Sequence, residues 1–438
     1  MSRPSPYIRL NGRRLAVSKN ERAVPIAPLT VSWGSDTGEG QADAATAQIV
    51  FLIRDSMDDL PDLKKGAAIE VADPVRPSFI HAGTVQTMSA KPSTRIRGAL
   101  EVTVNVADYM APFQNEFSAV EWPASADRRA QLYQLMNQNG WSLNAPTDTR
   151  DSSRTVLNSI KIQTLLERYI SRFRGKIYDT SWRDLDRVLH KQITAFKGSA
   201  RSLSPDKLRT TAIGWDRTFE PPTIDGVPGP VLTLPASNVL GDPSWSSGPE
   251  DAVTAVRLSV VTQGDNGQSE LSEHNYRTDV VTREALGLRS IDVETDLEDP
   301  LQWQPTAALY FNDDAPWRME ALQIHDTDLL TDDEISMLFE RTTRYQTLVV
   351  IDGIQPNRPD PGPTTLRSYA AGGEFTWTGK KWEISLNLER AILKLDGDGD
   401  WWTCAHVAES SNSLISQAQC NTVGNKLTVA DFRFIGEP

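Results

Sequence analysis

Short runs of alternating apolar and polar residues are the feature that most constrains the fold of this chain. Between residues 29 and 122, Gly, Pro and Asp turn signals separate β-branched or aromatic runs: LTVSW, AQIVFLI, AAIEV, FIHAGTVQTM and LEVTVNV. In the last run the apolar side chains share one face and must be core: Leu100, Val102, Val104 and Val106. The other face carries Glu101, Thr103 and Asn105. Successive strands of this kind predict an antiparallel sandwich or barrel.

Two segments of helical periodicity then interrupt the strands. The first, SADRRAQLYQLMNQNG, has Ser125 as a candidate N-cap and Gly140 as its stop, with an apolar stripe of Leu132, Leu135 and Met136. The second, TLLERYISRFRG, ends at Gly175 and has a stripe of Leu166, Tyr169, Ile170 and Phe173. We expect both stripes to pack in a core rather than to form a groove for a partner.

The strand pattern returns at Lys176 and continues to the C-terminal region. The clearer runs are DAVTAVRLSVVTQGD, RSIDVETDL and AALYFND, followed by the meander YQTLVVIDGI, GGEFTWTGKKWEISLNLERAILKL and WWTCAHV. Thr331 and Glu334 form a capping box for one short helix, and Thr378-Gly379-Lys380 turns one hairpin. The chain is therefore predicted to be mainly β with short helices, an α+β fold.

Changes in this pattern divide the chain into five predicted regions. They are a first β domain (1–122), a helical insertion (123–176), a second β-rich segment (177–250), a second β domain with the capped helix (251–395) and a C-terminal hairpin region (396–438).

Composition excludes several classes of protein. The 438 residues carry a net charge of −13, which would repel a nucleic-acid backbone, and no apolar run approaches the ~20 residues of a membrane span. The five histidines and two cysteines show no metal-ligand spacing, and we expect Cys404 and Cys420 to be reduced. No nucleophile, P-loop or dinucleotide motif is present, so we predict no catalytic, metal or cofactor residues and no enzyme activity.

The stretch LDGDGDWWTC, residues 395 to 404, is the strongest local candidate for a binding site. A calcium loop of the helix-loop-helix type would need Gly at Trp401 and Glu at Val407, so that match fails. A hairpin turn, a weak calcium or partner-ordered loop, and a sugar-binding aromatic loop remain open. Because Trp401 and Trp402 point to opposite faces of a strand, one can be core while the other is a partner contact.

The order of these segments resembles that of tail hub and minor tail proteins of long-tailed bacteriophages. One stretch is HAGTVQTM with LEVTVNVADYM, which supplies Gly83, Val85, Val104, Val106 and Asp108. Another is RTDVVTREALGLRSIDV, which supplies Asp279, Thr282, Leu286, Gly287 and Arg289, although Thr282 and Leu286 depart from the family's Ser and aromatic residue. The third is WRMEALQI with LVVIDGI and WTGKKWEISLNLE.

The resemblance implies two related antiparallel β-barrel or sandwich domains with helical insertions, in a ring-forming protein without catalytic residues. Three copies would close a hub ring that terminates the tail tube, anchors tip or fibre proteins and gates the DNA channel. The implied partners are the distal tail protein, the tape measure protein and phage DNA that passes without specific binding. The implied location is the virion tail tip, after assembly in the host cytoplasm and without a membrane anchor.

Two other functions stay open at the level of sequence. A receptor- or carbohydrate-binding tail-tip protein would use Trp377, Trp382, Trp401 and Trp402 as stacking platforms. A cell-wall hydrolase would need two close carboxylates in a deep cleft.

Overall fold

The structure is a computed structural model. It describes residues 5–15, 22–35, 43–54, 56–76, 78–116, 127–146, 160–183, 188–196, 202–203, 223–224, 227–228, 231–239, 245–246, 253–263, 269–277, 287–308, 310, 318–319, 321–324, 327–341, 344–352, 365–390 and 394–395.

Strands make up most of the described chain. The first half contains β1 (Tyr7–Leu10), β2 (Arg13–Arg14), β3 (Ala23–Gly34), β4 (Asp43–Ile53), β5 (Ala68–Ala72), β6 (Phe79–Pro92), β7 (Leu100–Asp108), β8 (Ser142–Asn144), β9 (Lys176–Asp179), β10 (Trp182–Arg183), β11 (Leu189–His190), β12 (Gln192–Phe196) and β13 (Ser202–Leu203). The second half contains β14 (Thr223–Ile224), β15 (Val227–Pro228), β16 (Val231–Pro235), β17 (Trp245–Ser246), β18 (Ala255–Gln263), β19 (Ser269–Arg277), β20 (Ser290–Thr295), β21 (Arg318–Met319), β22 (Ala321–Gln323), β23 (Leu348–Asp352), β24 (Thr365–Trp377), β25 (Trp382–Arg390) and β26 (Lys394–Leu395).

The α-helices are short. They are α1 (Arg128–Gln138), α2 (Ile162–Ser171), α3 (Trp303–Ala308) and α4 (Asp332–Phe339). Within the described ranges, none is long and apolar enough to cross a bilayer. Helices this short depend on the packing of one face for their stability.

One twelve-stranded sheet joins strands from residues 7–108 to strands from residues 231–390. Its order is β16-β23-β24-β3-β4-β7-β6-β5-β1-β2, with β25 and then β22 branching from β24. All its pairs are antiparallel except β16 with β23. The alternating valines of β7 are buried, as predicted, and they lie in the same core as α4 and β25. The first and last parts of the chain therefore share one sheet and one core.

Two glycines allow the join between β3 and β24, and a third allows β25 to lie close on the other side of β24. Gly34, at φ +77°, lies against the carbonyl of Ala371, and a side chain at Gly372 would come within 2.5 Å of the Ser35 carbonyl oxygen. Gly373 is similarly crowded by Ser385. Only a residue without Cβ permits such close backbone contact. We call this contact, Gly34–Ser35 against Ala371–Gly373, the glycine seam.

Helices α1 and α2 pack with β8, β9 and β12 around a second core. Their predicted stripes are buried, but the predicted N-cap was wrong, because Asp127 rather than Ser125 accepts the capping bond from Ala130 N at 2.6 Å. Ser125 lies outside the described residues. Gly140 ends α1 in the left-handed conformation, as predicted. After α2 it is Arg174, not Gly175, that has a positive φ.

The local signals at α4 and at the β24–β25 turn are confirmed. Thr331 and Glu334 form the capping box reciprocally, and Phe339 packs against Trp382 with ring centroids 4.6 Å apart. Thr378 N donates to Lys381 O at 3.0 Å across the hairpin turn. These contacts place α4 against β24 and β25.

A third, small sheet has the order β19-β18-β20 and packs against α3. Leu258 of β18 and Ala307 of α3 are both fully buried in this core. The predicted strand AALYFND was wrong at its start, because Ala307 and Ala308 complete α3. A short apolar run suits a helix or a strand, so the sequence pattern alone did not separate the two structures.

The predicted fold class is confirmed: the chain is mainly β with short helices, and its large sheet is antiparallel apart from one pair. Within the described residues the sheet remains open rather than closing as a barrel, although Val239 bridges to Ile324 beside β22. The boundaries of the five predicted regions stay predictions.

The glycine seam gives the first testable prediction. Gly34 and Gly66 have nearly the same backbone conformation, φ +77° and +83°, but only Gly34 is crowded, since nothing lies within 4 Å of a Cβ at Gly66. Gly66→Ala should cost about 1–2 kcal/mol from backbone strain alone. Gly34→Ala should cost about 3 kcal/mol or more, because it adds overpacking at the seam. Denaturant unfolding of both variants measures the difference, and equal losses would show that the close approach is not required.

Candidate functional site

Two buried carboxylates and one arginine meet at a point where three distant segments of the chain come together. Asp108 ends β7, Asp179 ends β9, and Arg341 follows α4. Arg341 Nη2 lies 3.2 Å from Asp179 Oδ2, and the same nitrogen donates to the Asp179 carbonyl at 2.9 Å. All three side chains are shielded from solvent. We call this group the aspartate node.

Backbone groups complete the aspartate node. Asp108 accepts hydrogen bonds from Ala45 N at 2.9 Å and Met110 N at 3.1 Å. Asp179 accepts from Tyr109 N and Ser181 N, both at 2.8 Å. Each carboxylate therefore fixes the backbone at the end of its own strand and on a neighbouring segment.

Burial raises the pKa of Asp108 to about 7, and the negative charge of Asp179 adds to the effect. Arg341 and the two backbone N–H groups oppose this rise without cancelling it. For Arg341, burial would lower the pKa, but Asp179 and then Asp108 outweigh burial, so its pKa is raised. The node thus holds a carboxyl that titrates near neutrality.

A second arginine and a histidine border the node. Burial lowers the pKa of His81 well below its usual value, and the charges of Arg341 and Arg344 lower it further. The Arg344 guanidinium donates to Ile80 O at 3.1 Å and lies 5.0 Å from the Trp33 ring centroid. His81 is therefore neutral, and cation–π contacts stabilise Arg344.

A separate buried cluster joins both helices of the second core to the small sheet. Asp296, just after β20, accepts from Arg128 Nε and Arg172 Nε, each at 2.7 Å, and all three side chains are 1% exposed. Burial alone would raise the pKa of Asp296, but Arg172 and Arg128 lower it below its usual value. Ser171 Oγ also donates to the Glu294 carbonyl at 2.7 Å.

Both clusters connect distant parts of the chain and lie inside it. Carboxyl groups with shifted pKa values can mark an active site when they line a cleft. Here the carboxylates instead accept from backbone N–H groups and arginines in the core. Breaking such a pair leaves an uncompensated buried charge, so each cluster fixes the relative position of the elements that it joins.

One groove of about 770 Å³ runs along the outer side of α1. The residues that line it include Asp127, Arg129, Tyr133, Gln134, Asn137 and Gln138. Hydrogen bonds within the protein already occupy Arg129: its Nε donates to Ala145 O at 3.0 Å, and its Nη2 donates to Tyr133 Oη at 3.1 Å. The groove therefore offers mainly neutral amides to a ligand.

The residues predicted for binding have different outcomes. Trp401, Trp402, Cys404 and Cys420 lie outside the described residues, as do Asp279, Thr282 and Leu286. Trp377 and Trp382 are buried, at 7% and 2% exposure, so their assignment as stacking platforms was wrong. Both pack in the main core, with ring centroids 5.3 Å apart. In the described ranges, no group of three His, Cys, Asp or Glu side chains could hold a metal ion.

Sequence reasoning found Gly83 and Asp108 but not what they do. Gly83 pairs with Asp108 across β6 and β7, and a Cβ at Gly83 would overlap the Ala107 carbonyl. The partners of Asp108 were missed because they are remote in sequence. No local signal set Asp179 and Arg341 apart, because RFRGKIY before Asp179 and EISMLFE before Arg341 contain other charged residues.

No protein-family model matches the chain, and no curated protein matches it. Solved structures do match it. The 43 kDa tail protein of prophage MuSo2 from Shewanella oneidensis has a TM-score of 0.50 and 10% identity, over 89% of this chain and 99% of its own. The tail protein from Neisseria meningitidis MC58 has a TM-score of 0.49 and 11% identity, over 92% of this chain and 99% of its own.

At 10% identity, the likeness to the MuSo2 tail protein is one of fold, and it extends over nearly the whole of both chains. The predicted resemblance to phage tail proteins is therefore confirmed for the fold.

The aspartate node makes stability depend on pH. Between pH 3.8 and about 7, the folded state keeps a proton on Asp108 that the unfolded chain has lost, so this group lowers stability as pH rises. His81 acts in the opposite direction at acidic pH. Asp108→Asn removes one hydrogen-bond acceptor at every pH and should therefore destabilise the protein. The loss in free energy of unfolding relative to wild type should become smaller as pH rises across this window, by up to about 1.4 kcal/mol per pH unit.

Denaturant unfolding of both proteins across this window measures the effect. The contribution of His81 is present in both and cancels in the difference. A difference in stability that stays constant with pH would contradict the assignment to Asp108.

The Asp296 cluster gives a matched comparison of buried and exposed ion pairs. Asp296→Asn removes the charged carboxylate that the two buried guanidinium groups of Arg128 and Arg172 share, and it should cost about 3–5 kcal/mol. Asp292→Asn, which breaks an exposed pair with Arg257 in the same region, should leave Tm nearly unchanged. Thermal unfolding of the two variants tests this. Similar melting temperatures would show that Asp296 is not essential to the packing of α1 and α2.

Proposed function

We propose that this protein is a structural component of a phage-type tail tip, where it forms a hub ring that terminates the tail tube. In that role it anchors tip or fibre proteins and gates the DNA channel. The observation that carries the proposal is the fold, which is similar over almost the whole chain to that of a protein described as a prophage tail protein.

The internal structure suits a rigid subunit of a larger assembly. The main sheet joins strands from residues 7–108 to strands from residues 231–390, and two buried charge clusters lock the helices and the smaller sheet to it. These features support a stiff building block rather than a protein with a mobile cleft.

The proposed partners follow from this role. Three copies form the ring, and the distal tail protein, other tip or fibre proteins and the tape measure protein contact it. Phage DNA passes through without specific binding, because the net charge of −13 opposes contact with phosphates. The protein assembles in the host cytoplasm and resides at the virion tail tip. Trp401 and Trp402 stay candidate partner contacts.

The two rival functions receive less support. Of the four tryptophans that a sugar-binding tip would use, the two that the structure describes are core residues. The perturbed carboxylates that a hydrolase would use are held by backbone N–H groups and arginines inside the protein.

Electron microscopy tests the proposal in two ways. A gold-labelled antibody against the chain should mark one end of the tail in particles that contain the protein. Averaged images of the purified protein should show a ring of three with an open centre. Label along the full tail would instead identify a tube subunit, and particles without label would overturn the proposal. Antibody blocked with purified protein is the control.

A further inference from the structure

We infer that the open edge of β6 and the basic residues beside it bind the β19 edge of a second copy of this chain, in a head-to-tail contact. The inference rests on the proposed function, since such a contact would build the ring. It names the two surfaces that meet.

The distal half of β6 has a free edge in the described structure. β5 pairs with β6 only as far as Thr84, while β7 continues along the opposite edge to Pro92. All seven residues from Gln86 to Pro92 are exposed, and Met88 is exposed by 38% although it pairs with the buried Val104. A strand edge of this length can accept another strand by backbone hydrogen bonding.

Two turns bring basic side chains to the end of this edge. The β6–β7 turn carries Arg95 and Arg97 after Lys91, and the β24–β25 turn carries Lys380 and Lys381. Both turns meet at Ala27: Arg95 Nη1 donates to Ala27 O at 3.4 Å, and a Cβ at Gly379 would lie 3.2 Å from Ala27 Cβ. We call these five residues, Lys91, Arg95, Arg97, Lys380 and Lys381, the basic tip.

The basic tip has the opposite sign to the chain as a whole. Lys91 and Arg95 each lie 3.8 Å from Glu101. In the part of the chain that the structure describes, no ion pair involves Arg97, Lys380 or Lys381. A positive surface on a protein with a net charge of −13 is complementary to other surfaces of the same protein.

β19 supplies an acidic edge of matching length. It is the outer strand of the small sheet, and no other described strand pairs with its free side. It has two exposed carboxylates, at Glu270 and Glu273, against one exposed cation at its end, Arg277, and its Leu271 is 59% exposed. Its nine residues can therefore pair with the seven of distal β6, with acidic against basic groups and Leu271 available to Met88.

The two edges are different surfaces of one chain, so the contact is heterologous and generates a ring when the rotation closes. Lys91 on β6 also discourages pairing of two identical β6 edges, by charge repulsion. Charge thus selects β19 as the partner over a second β6.

Paired charge reversals test the contact. One variant carries Arg97→Glu, Lys380→Glu and Lys381→Glu, which leaves the ion pairs of Glu101 intact. The other carries Glu270→Lys and Glu273→Lys. The control variant, Arg13→Glu, Lys161→Glu and Lys191→Glu, makes the same change in net charge as the first on other exposed surfaces. Mass by light scattering over a range of concentrations and salt is the readout, with circular dichroism to confirm folding.

We expect the wild type and the control to self-associate, more weakly at high salt, and each reversed variant to do so at least about tenfold more weakly. A mixture of the two reversed variants should recover association, because the unchanged β19 edge of the first meets the unchanged basic tip of the second, and the two reversed surfaces also carry opposite charges. Recovery is a result that misfolding cannot produce.

Other outcomes separate the inference from the proposed function. Association of both reversed variants at the wild-type level would overturn the inference and leave a ring built on other surfaces. A wild type that stays monomeric throughout would also overturn it, while antibody labelling would still decide whether the protein is at the tail tip. Loss of duplex DNA binding, rather than of self-association, on reversal of the basic tip would assign that surface to nucleic acid instead.

Discussion

The cost of burying charge governs how this molecule is held together. Arg341, Arg128 and Arg172 are almost fully shielded from water, and a guanidinium buried in this way needs carboxylates or other polar groups close to it. Asp179 and Asp296 meet that need, and each belongs to a different part of the chain from its arginines. The ion pairs therefore join elements that are distant in the sequence, and breaking one would leave charge buried between them.

Local structure was largely predictable from the sequence because its causes are local. The valines of β7, the capping box of α4 and the turn at Gly379 each depend on residues only a few positions apart. The N-cap of α1 was misplaced by two residues, since Ser125 and Asp127 are equally suitable caps in the sequence. AALYFND failed because a short apolar run can belong to a helix or to a strand.

Long-range structure was not predictable in the same way. No local pattern encodes the strand pairings that bring distant residues together. Gly34 lies against Ala371, and Asp108 lies near Asp179, only because of such pairings. The resemblance to tail proteins pointed to the fold but not to these contacts. The tryptophans illustrate the difference, because the sequence shows that Trp377 and Trp382 flank a turn, and only the packing of Phe339 against Trp382 shows that this pair is core.

The pairing of β3 with β24 has a consequence for the order of events during synthesis. Thr30 and Thr376, which are hydrogen-bonded across this pair, are 346 residues apart. A ribosome that adds roughly 5–20 residues per second therefore completes β3 tens of seconds before its partner exists. During that interval β3 has an unpaired edge, and unpaired edges of nascent chains are sites of aggregation. Slow closure of such a distant contact makes the nascent subunit a natural client for chaperones, and it delays the complete sheet until most of the chain has been made.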